Sequence, residues 1–169
     1  IGQMIMPWYG SSSASQVENL KIGGFIFSSW NTSGALSIVQ AVNQLQAVAN
    51  VPLWFAADAE CGAGARFGEA TVLPMNMALG AADSEVLAAS AGWVTARESW
   101  ALGIQIGFCP VVDVNTEPEN PIISTRSFGD RPARVARLAK AFSDGAHRGG
   151  MMTCLKHYPG HGPTDADSH

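Results

Sequence analysis

Charged side chains are scarce in this sequence. Lys, Arg, Asp and Glu together make up 14% of the chain, where a soluble domain usually carries about a quarter. Much of the chain must therefore be buried. The net charge of −4 leaves no basic surface, so neither nucleic acid nor an anionic membrane is indicated as a partner. No apolar run reaches the roughly 18 residues that membrane insertion needs. Cysteine is sparse and odd in number: Cys61, Cys109 and Cys154, without a C-x-x-C pair. Cys109 and Cys154 sit in apolar runs, and the three read as buried, reduced thiols rather than as a disulfide frame or a metal site. No G-x-G-x-x-G or G-x-x-x-x-G-K-[ST] stands at a strand end, so no phosphate-binding fingerprint is present. An initiator methionine is also lacking. Ile1-Gly2-Gln3-Met4 reads as mid-element, and any targeting segment is expected to lie upstream.

What the chain has is apolar material, 47% of its residues, arranged in short runs alternating with helix-period stretches. Met4 to Trp8, Gly24 to Ser28, Pro52 to Ala57, Ile104 to Val112 and Met151 to Leu155 are five strand candidates. Ser33 to Ala49 has helical spacing, with Leu36, Val39, Val42, Leu45 and Val48 at three-residue steps and Ser33 as cap. Asp83 opens a helix to about Leu102, with Val86, Leu87, Trp93 and Val94 on one side. Pro132 to His147 is helical, with Val135, Leu138 and Phe142 inward and its arginines outward. Unbroken apolar strands separated by helices imply a parallel sheet covered on its faces. The expected fold is α/β, a TIM-type (β/α)8 barrel of which this chain supplies about the first five units. Residues 1–169 would then be part of a single barrel domain, because a whole barrel takes about 250 residues.

The polar residues support that reading by where they fall. Asp58 follows the third strand candidate, Asp113 ends the fourth, and Lys156-His157 ends the fifth. Barrel active sites are built at the C-terminal ends of the strands. The chain then closes on a loop rich in proline, glycine and titratable groups, Lys156-His157-Tyr158-Pro159-Gly160-His161-Gly162-Pro163-Thr164-Asp165-Ala166-Asp167-Ser168-His169. A solvated loop does not need that many ionisable side chains; a site that binds a polar molecule and moves a proton does.

The run Lys156 to Gly162, followed by Asp167-Ser168-His169, closely resembles the signature of glycoside hydrolase family 3, in its bacterial β-N-acetylglucosaminidase branch. Upstream segments resemble the same family in the same order: Asp58-Ala59-Glu60 with Gly62 and Arg66, Leu73-Pro74 with Leu79-Gly80, Pro110 to Asn115, Asn120 to Ile123, and Arg126-Ser127-Phe128-Gly129. Cys61 departs from the glycine common at its position and bears on substrate length. The resemblance implies a retaining exo-β-N-acetylglucosaminidase that removes terminal β-linked N-acetylglucosamine, from peptidoglycan fragments or related amino-sugar glycans, through a covalent glycosyl-enzyme and without a cofactor. It implies Asp167 and His169 as an acid/base dyad: the histidine protonates the leaving oxygen and then deprotonates water, and the aspartate orients the ring. Most retaining glycosidases use two carboxylates instead. Asp58, Arg126, Lys156 and His157 are implied to bind the sugar, and His161 to support the loop. The family's nucleophile is an aspartate on a later strand, not in this chain, so a continuation or companion fragment is expected to complete the barrel. The compartment, bacterial cytoplasm or extracytoplasmic, is left open.

Each residue also has a plainer reading. Asp58 could cap a turn, Lys156 could be salt-bridged, His157 could be a satisfied core histidine, and Arg126 could pair with Asp113 or Asp130. Asp113 and Asn115 read as scaffold. Tryptophans normally pack in cores, and only Trp8 and Trp30, near strand ends, are candidates for stacking on sugar. Two other functions remain: a β-glucosidase or β-xylosidase of the same family, and a catalytically silent carbohydrate-binding barrel. A metal site is disfavoured, because Pro159 and Gly160 break the helix that would align His157 with His161. Activity of the full-length protein is therefore expected to survive a strong chelator; loss of activity restored by zinc would revive a histidine-bound metal.

Overall fold

The computed structural model describes residues 1–165. It forms a parallel α/β layer structure. Helix α1 (Ser13–Leu20) leads into strand β1 (Gly24–Phe27), α2 (Ala35–Val48) into β2 (Trp54–Ala57). Three helices follow, α3 (Gly64–Phe67), α4 (Asn76–Ala82) and α5 (Glu85–Ala101), before β3 (Ile106–Gly107). Helix α6 (Pro132–Arg148) then leads into β4 (Met152–Thr153). The strands lie in the order β1-β2-β3-β4, every pair parallel. A sheet wound in one direction without a reversal of strand order is the pattern of a barrel, not of a doubly wound fold.

Register explains which faces are buried. Phe25 aligns with Phe55 and Phe27 with Ala57. Alternation along a strand sends these side chains to one face, where they pack with Val17, Ile38, Leu45 and Ile104 beneath α1 and α2. The intervening row, Ile26, Ala56, Ile106 and Met152, points to the opposite face. Met152 in that row is exposed. A second core joins α4, α5 and α6 to the sheet through Leu79, Phe128, Val135, Leu138, Phe142 and Met151.

Several expected elements are shorter or turned. Met4 to Trp8 is not a strand: Gly2–Met4 forms a 3-10 turn, and only Trp8 joins the sheet, by a parallel bridge to Ile26. That bridge still marks a fifth strand position beside β1. The Ile104 to Val112 run keeps only two strand residues. Pro110 has no N–H to offer a ladder, and Val111 rejoins as a bridge to Lys156. Helix α2 is capped by Gly34, not Ser33, whose N–H goes to Ser37 Oγ. Its buried residues are Ile38, Ala41, Val42 and Leu45, while Leu36 and Val48 face out. Three-residue steps drift around a helix of 3.6 residues per turn, so they cannot all stay inward.

Helix α5 departs most. Ser84, not Asp83, caps it, accepting from the Leu87 N–H. Val86, Leu87 and Trp93 are exposed, and the buried face is Ala88, Ala91, Gly92, Thr95, Ala96 and Ser99. The reason is its neighbour. A Cβ on Gly92 would lie 2.0 Å from the Phe142 carbonyl oxygen, and one on Gly145 would lie 1.9 Å from that of Ala89. The backbones of α5 and α6 approach so closely that only small residues fit between them. Helix α6 behaves as expected, with Val135, Leu138 and Phe142 buried. Cys154 is exposed rather than buried, Cys61 is half-buried and Cys109 fully buried, all three free.

Gly92→Leu in the full-length protein should therefore force α5 and α6 apart, at a cost of about 3 kcal/mol. Ser90→Leu, on the exposed side of the same helix, should stay within about 0.5 kcal/mol. Thermal midpoints would distinguish the two; equal shifts would refute the close-packing account.

Candidate active site

Because the strands are parallel, each releases the chain at the same edge. Asp58 is the first residue after β2, and Lys156 lies three residues past β4, anchored by the bridge to Val111. The two residues are 98 positions apart, yet Lys156 Nζ donates to Asp58 Oδ1 at 2.5 Å. The same ammonium lies 2.6 Å from Glu60 Oε1. Glu60 in turn receives both Nε and Nη2 of Arg126, each at 2.9 Å. Arg126 ends a 3-10 turn, Ser124–Arg126. Its Nη1 donates to the Ile122 carbonyl, and its own carbonyl accepts from Asn76 Nδ2. Arg66 adds a bond from its Nε to the Asp58 carbonyl.

Glu60 is thus the centre of the cluster. Its side chain is 10% exposed, those of Lys156 and Arg126 16% and 25%. Burial alone would raise its pKa, but the hydrogen bonds and charges of Arg126 and Lys156 outweigh that and hold it at about 2. Glu60 stands in a motif of the sequence without a role of its own there. Arg126 pairs with Glu60, not with the expected Asp113 or Asp130. Lys156 is salt-bridged, as its plainer reading allowed, and Asp58 is one of its two partners. The signal for Glu60 was its place two residues beyond Asp58, but a partner 66 positions away leaves no local trace.

A second carboxylate organises the loop. Asp113, its side chain fully buried, accepts the His157 N–H at 3.1 Å and stands 2.7 Å from His157 Nδ1 with the same oxygen. Its other oxygen accepts the His161 N–H at 2.6 Å. Burial raises its pKa, and these three bonds bring it below the ordinary value. An ionised Asp113 makes Nδ1 the protonated nitrogen of His157, which leaves Nε2 as the acceptor of the neutral ring. Asn120, buried, donates to the carbonyls of His161 and Gly162. Gly160 has φ +115, and a Cβ on Gly162 would sit 1.9 Å from the Val114 carbonyl oxygen. Both glycines are needed for the loop to lie flat on the strand-end segment. His161 bonds the loop through its backbone, and its ring meets that of His157 edge-on at 5.1 Å.

Asp58, Lys156, Arg126 and His157 thus share one edge: Lys156 and Glu60 link the first three, and Asp113 holds His157. Among the described residues Asp58 Oδ2 takes no hydrogen bond. Among the same described residues Lys156 uses two of its three N–H donors, and Arg126 three of its five. The surplus of donors beside a free carboxylate oxygen suits a molecule bearing several hydroxyls. Trp8 and Trp30 are not core residues: they are partly exposed at the same edge, with ring centroids 5.2 Å apart. Among the described residues no group of three His, Cys, Asp or Glu is placed to hold a metal. Asp167 and His169 lie outside the described residues.

Both hub carboxylates have depressed pKa values, so both stabilise the folded state above their ordinary values and cease to do so as they become protonated. For Glu60 that contribution is complete above about pH 4.5 and lost as pH falls through about 2. Asp113 acts with the same sign below its ordinary 3.8. The thermal midpoint of the full-length protein should fall over this window, and Asp113→Asn should flatten part of that fall. An unchanged pH slope in the variant would rule out Asp113 as an acid-sensitive anchor.

The sequence profile of the glycosyl hydrolase family 3 N-terminal domain matches residues 1–169. The chain is 36% identical over 163 residues to β-hexosaminidase A of Pseudoalteromonas piscicida, covering 90% of this chain and 27% of that protein. It is 37% identical to a β-N-acetylglucosaminidase/β-glucosidase of Cellulomonas fimi, covering 90% and 26%. The solved structure of a glycoside hydrolase family 3 β-N-acetylglucosaminidase from Paenibacillus sp. str. FPU-7 superposes with a TM-score of 0.93 at 35% identity, over 99% of this chain and 34% of that one. The chain therefore spans about a quarter of the length of these two relatives and about a third of that structure. Profile, sequence identity and superposition agree: the chain belongs to the glycoside hydrolase family 3 N-terminal domain, a TIM-type α/β barrel family.

Proposed function

We propose that the protein containing this chain is a retaining exo-β-N-acetylglucosaminidase, acting on terminal β-linked N-acetylglucosamine in peptidoglycan fragments or related amino-sugar glycans. One observation carries the reading: Asp58, Arg126 and the adjacent pair Lys156-His157, drawn from three separate segments, meet at one strand edge with donors and a carboxylate oxygen to spare among the described residues. In this reading Asp58 accepts from ring hydroxyls, and Lys156 and Arg126 donate to hydroxyls or the acetamido carbonyl. His157, its tautomer fixed by Asp113, presents Nε2. The relatives named for β-N-acetylglucosaminidase or β-hexosaminidase activity support the choice of sugar.

The chemistry divides between residues in this chain and one outside it. His169 protonates the departing oxygen, and Asp167 stabilises the charged ring. An aspartate outside this chain, in the continuation or companion fragment that completes the domain, attacks the anomeric carbon. His169, now neutral, then takes a proton from water as the glycosyl-enzyme is hydrolysed. No step calls on a metal or cofactor.

The Cellulomonas fimi relative's name includes β-glucosidase, so a β-glucoside specificity is the second reading. Comparing chromogenic aryl N-acetylglucosaminide with aryl glucoside on the full-length protein decides between them. Release from neither would favour a silent carbohydrate-binding barrel.

His169→Ala should slow substrates with basic leaving groups by about 10²–10⁴-fold, the usual worth of a general acid. Activated aryl glycosides should lose far less in the glycosylation step, because their leaving group departs without a proton. Equal losses on both substrate types would remove His169 from the acid role.

A further inference from the structure

Glu60 touches both cations proposed to bind the sugar, and the functional reading gives it nothing to do. Its two bonds to Arg126 match the planar fork of the guanidinium, which fixes the direction of the remaining N–H donors. Its Oε1 also meets Lys156 Nζ, so one oxygen is shared by two cations. Asp58 alone could not hold them: it reaches Lys156 by a single bond and makes none to Arg126 among the described residues. Among the four side chains paired with one another the charges balance, with Asp58 and Glu60 negative and Lys156 and Arg126 positive; Arg66, which bonds the Asp58 carbonyl, stands outside that set. Without Glu60 the cluster would carry an excess positive charge, on a guanidinium with no carboxylate partner. Such a fork is a natural receptor for sulfate, phosphate or a carboxylate.

We infer that Glu60 is a positioning and specificity-determining residue: it aims Arg126 and Lys156 at the sugar, and it neutralises them so that the site takes an uncharged pyranose rather than an anionic one. The inference rests on the sugar-binding reading of this cluster. It concerns a residue that would act through its neighbours, not one that touches the reacting atoms.

The test uses the full-length protein with an aryl β-N-acetylglucosaminide, and sodium sulfate as the anionic probe. Glu60→Gln should raise KM by about tenfold or more while kcat falls less, because ground-state and transition-state binding are lost together. Sulfate should become a competitive inhibitor, with an inhibition constant at least about tenfold below that of the wild type at matched ionic strength. Glu60→Asp keeps the charge but shortens the reach. It should raise KM without the new sulfate inhibition, which separates aiming from neutralising. In an Arg126→Ala background, adding Glu60→Gln should change KM by less than about threefold, since its main partner is already gone.

If Glu60→Gln does not fold, the Arg126→Ala/Glu60→Gln double variant removes the unpaired guanidinium and is read against Arg126→Ala. For Glu60→Gln alone, a KM within about twofold of the wild type, with unchanged sulfate sensitivity, would overturn the inference. An equally large effect of Glu60→Gln with or without Arg126 would overturn it too. These outcomes differ from a failure of the proposed activity. A wild type that cleaves the aryl glucoside instead would sink the N-acetylglucosaminidase reading, and the Glu60 comparisons would run unchanged on that substrate. Should it cleave neither, calorimetric titration of sulfate into wild type and Glu60→Gln reads the anion term directly.

Discussion

Strands that all run the same way must all release the chain at one edge. The rest of this structure depends on that constraint. It places Asp58 after β2 beside Lys156 beyond β4, and it puts the segment carrying Asp113 between β3 and α6 at the same edge. A parallel strand can only be followed by a crossover back to the start of the next. Helices α2, α5 and α6 supply the return paths, and the loops at the far edge are left free to carry polar groups.

Collecting so many charges at one edge has its own requirement. Two cations and two carboxylates, mostly withdrawn from water, are stable together only if each is paired. Glu60 meets that requirement by bonding both Arg126 and Lys156. Asp113 does the same for backbone N–H groups and an imidazole, and so ties the Pro-Gly-rich loop to the strand ends. One carboxylate sets the direction of the donors and the other sets the tautomer of His157. The site is therefore pre-organised by groups that need not touch a bound molecule, so that binding does not have to order them.

The helix layer answers to a different constraint. Helices α5 and α6 approach at backbone distance through Gly92 and Gly145. Close approach requires small residues inside, so the large apolar residues of α5 are turned away from the core. Hydrophobicity alone points to the wrong face there, because packing geometry rather than apolar content selects the buried side.

The sequence by itself determined the strand segments Gly24–Phe27 and Trp54–Ala57, the inward face of α6, and the placing of Asp58, Asp113 and Lys156 at strand ends. These are local properties: unbroken apolar runs, a clear 3.6-residue period, and polar residues just past the runs. The Lys156 to Gly162 segment was legible because its glycines and prolines are demanded by the loop's own backbone, and with it the family. Tertiary structure alone decided the pairing of Glu60 with Arg126 and Lys156, the capture of His157 by Asp113, the outward face of α5, and the shortening of β3. Each of these depends on atoms brought together from distant positions. Neither propensity nor periodicity carries information about which carboxylate a guanidinium will meet once the sheet has assembled.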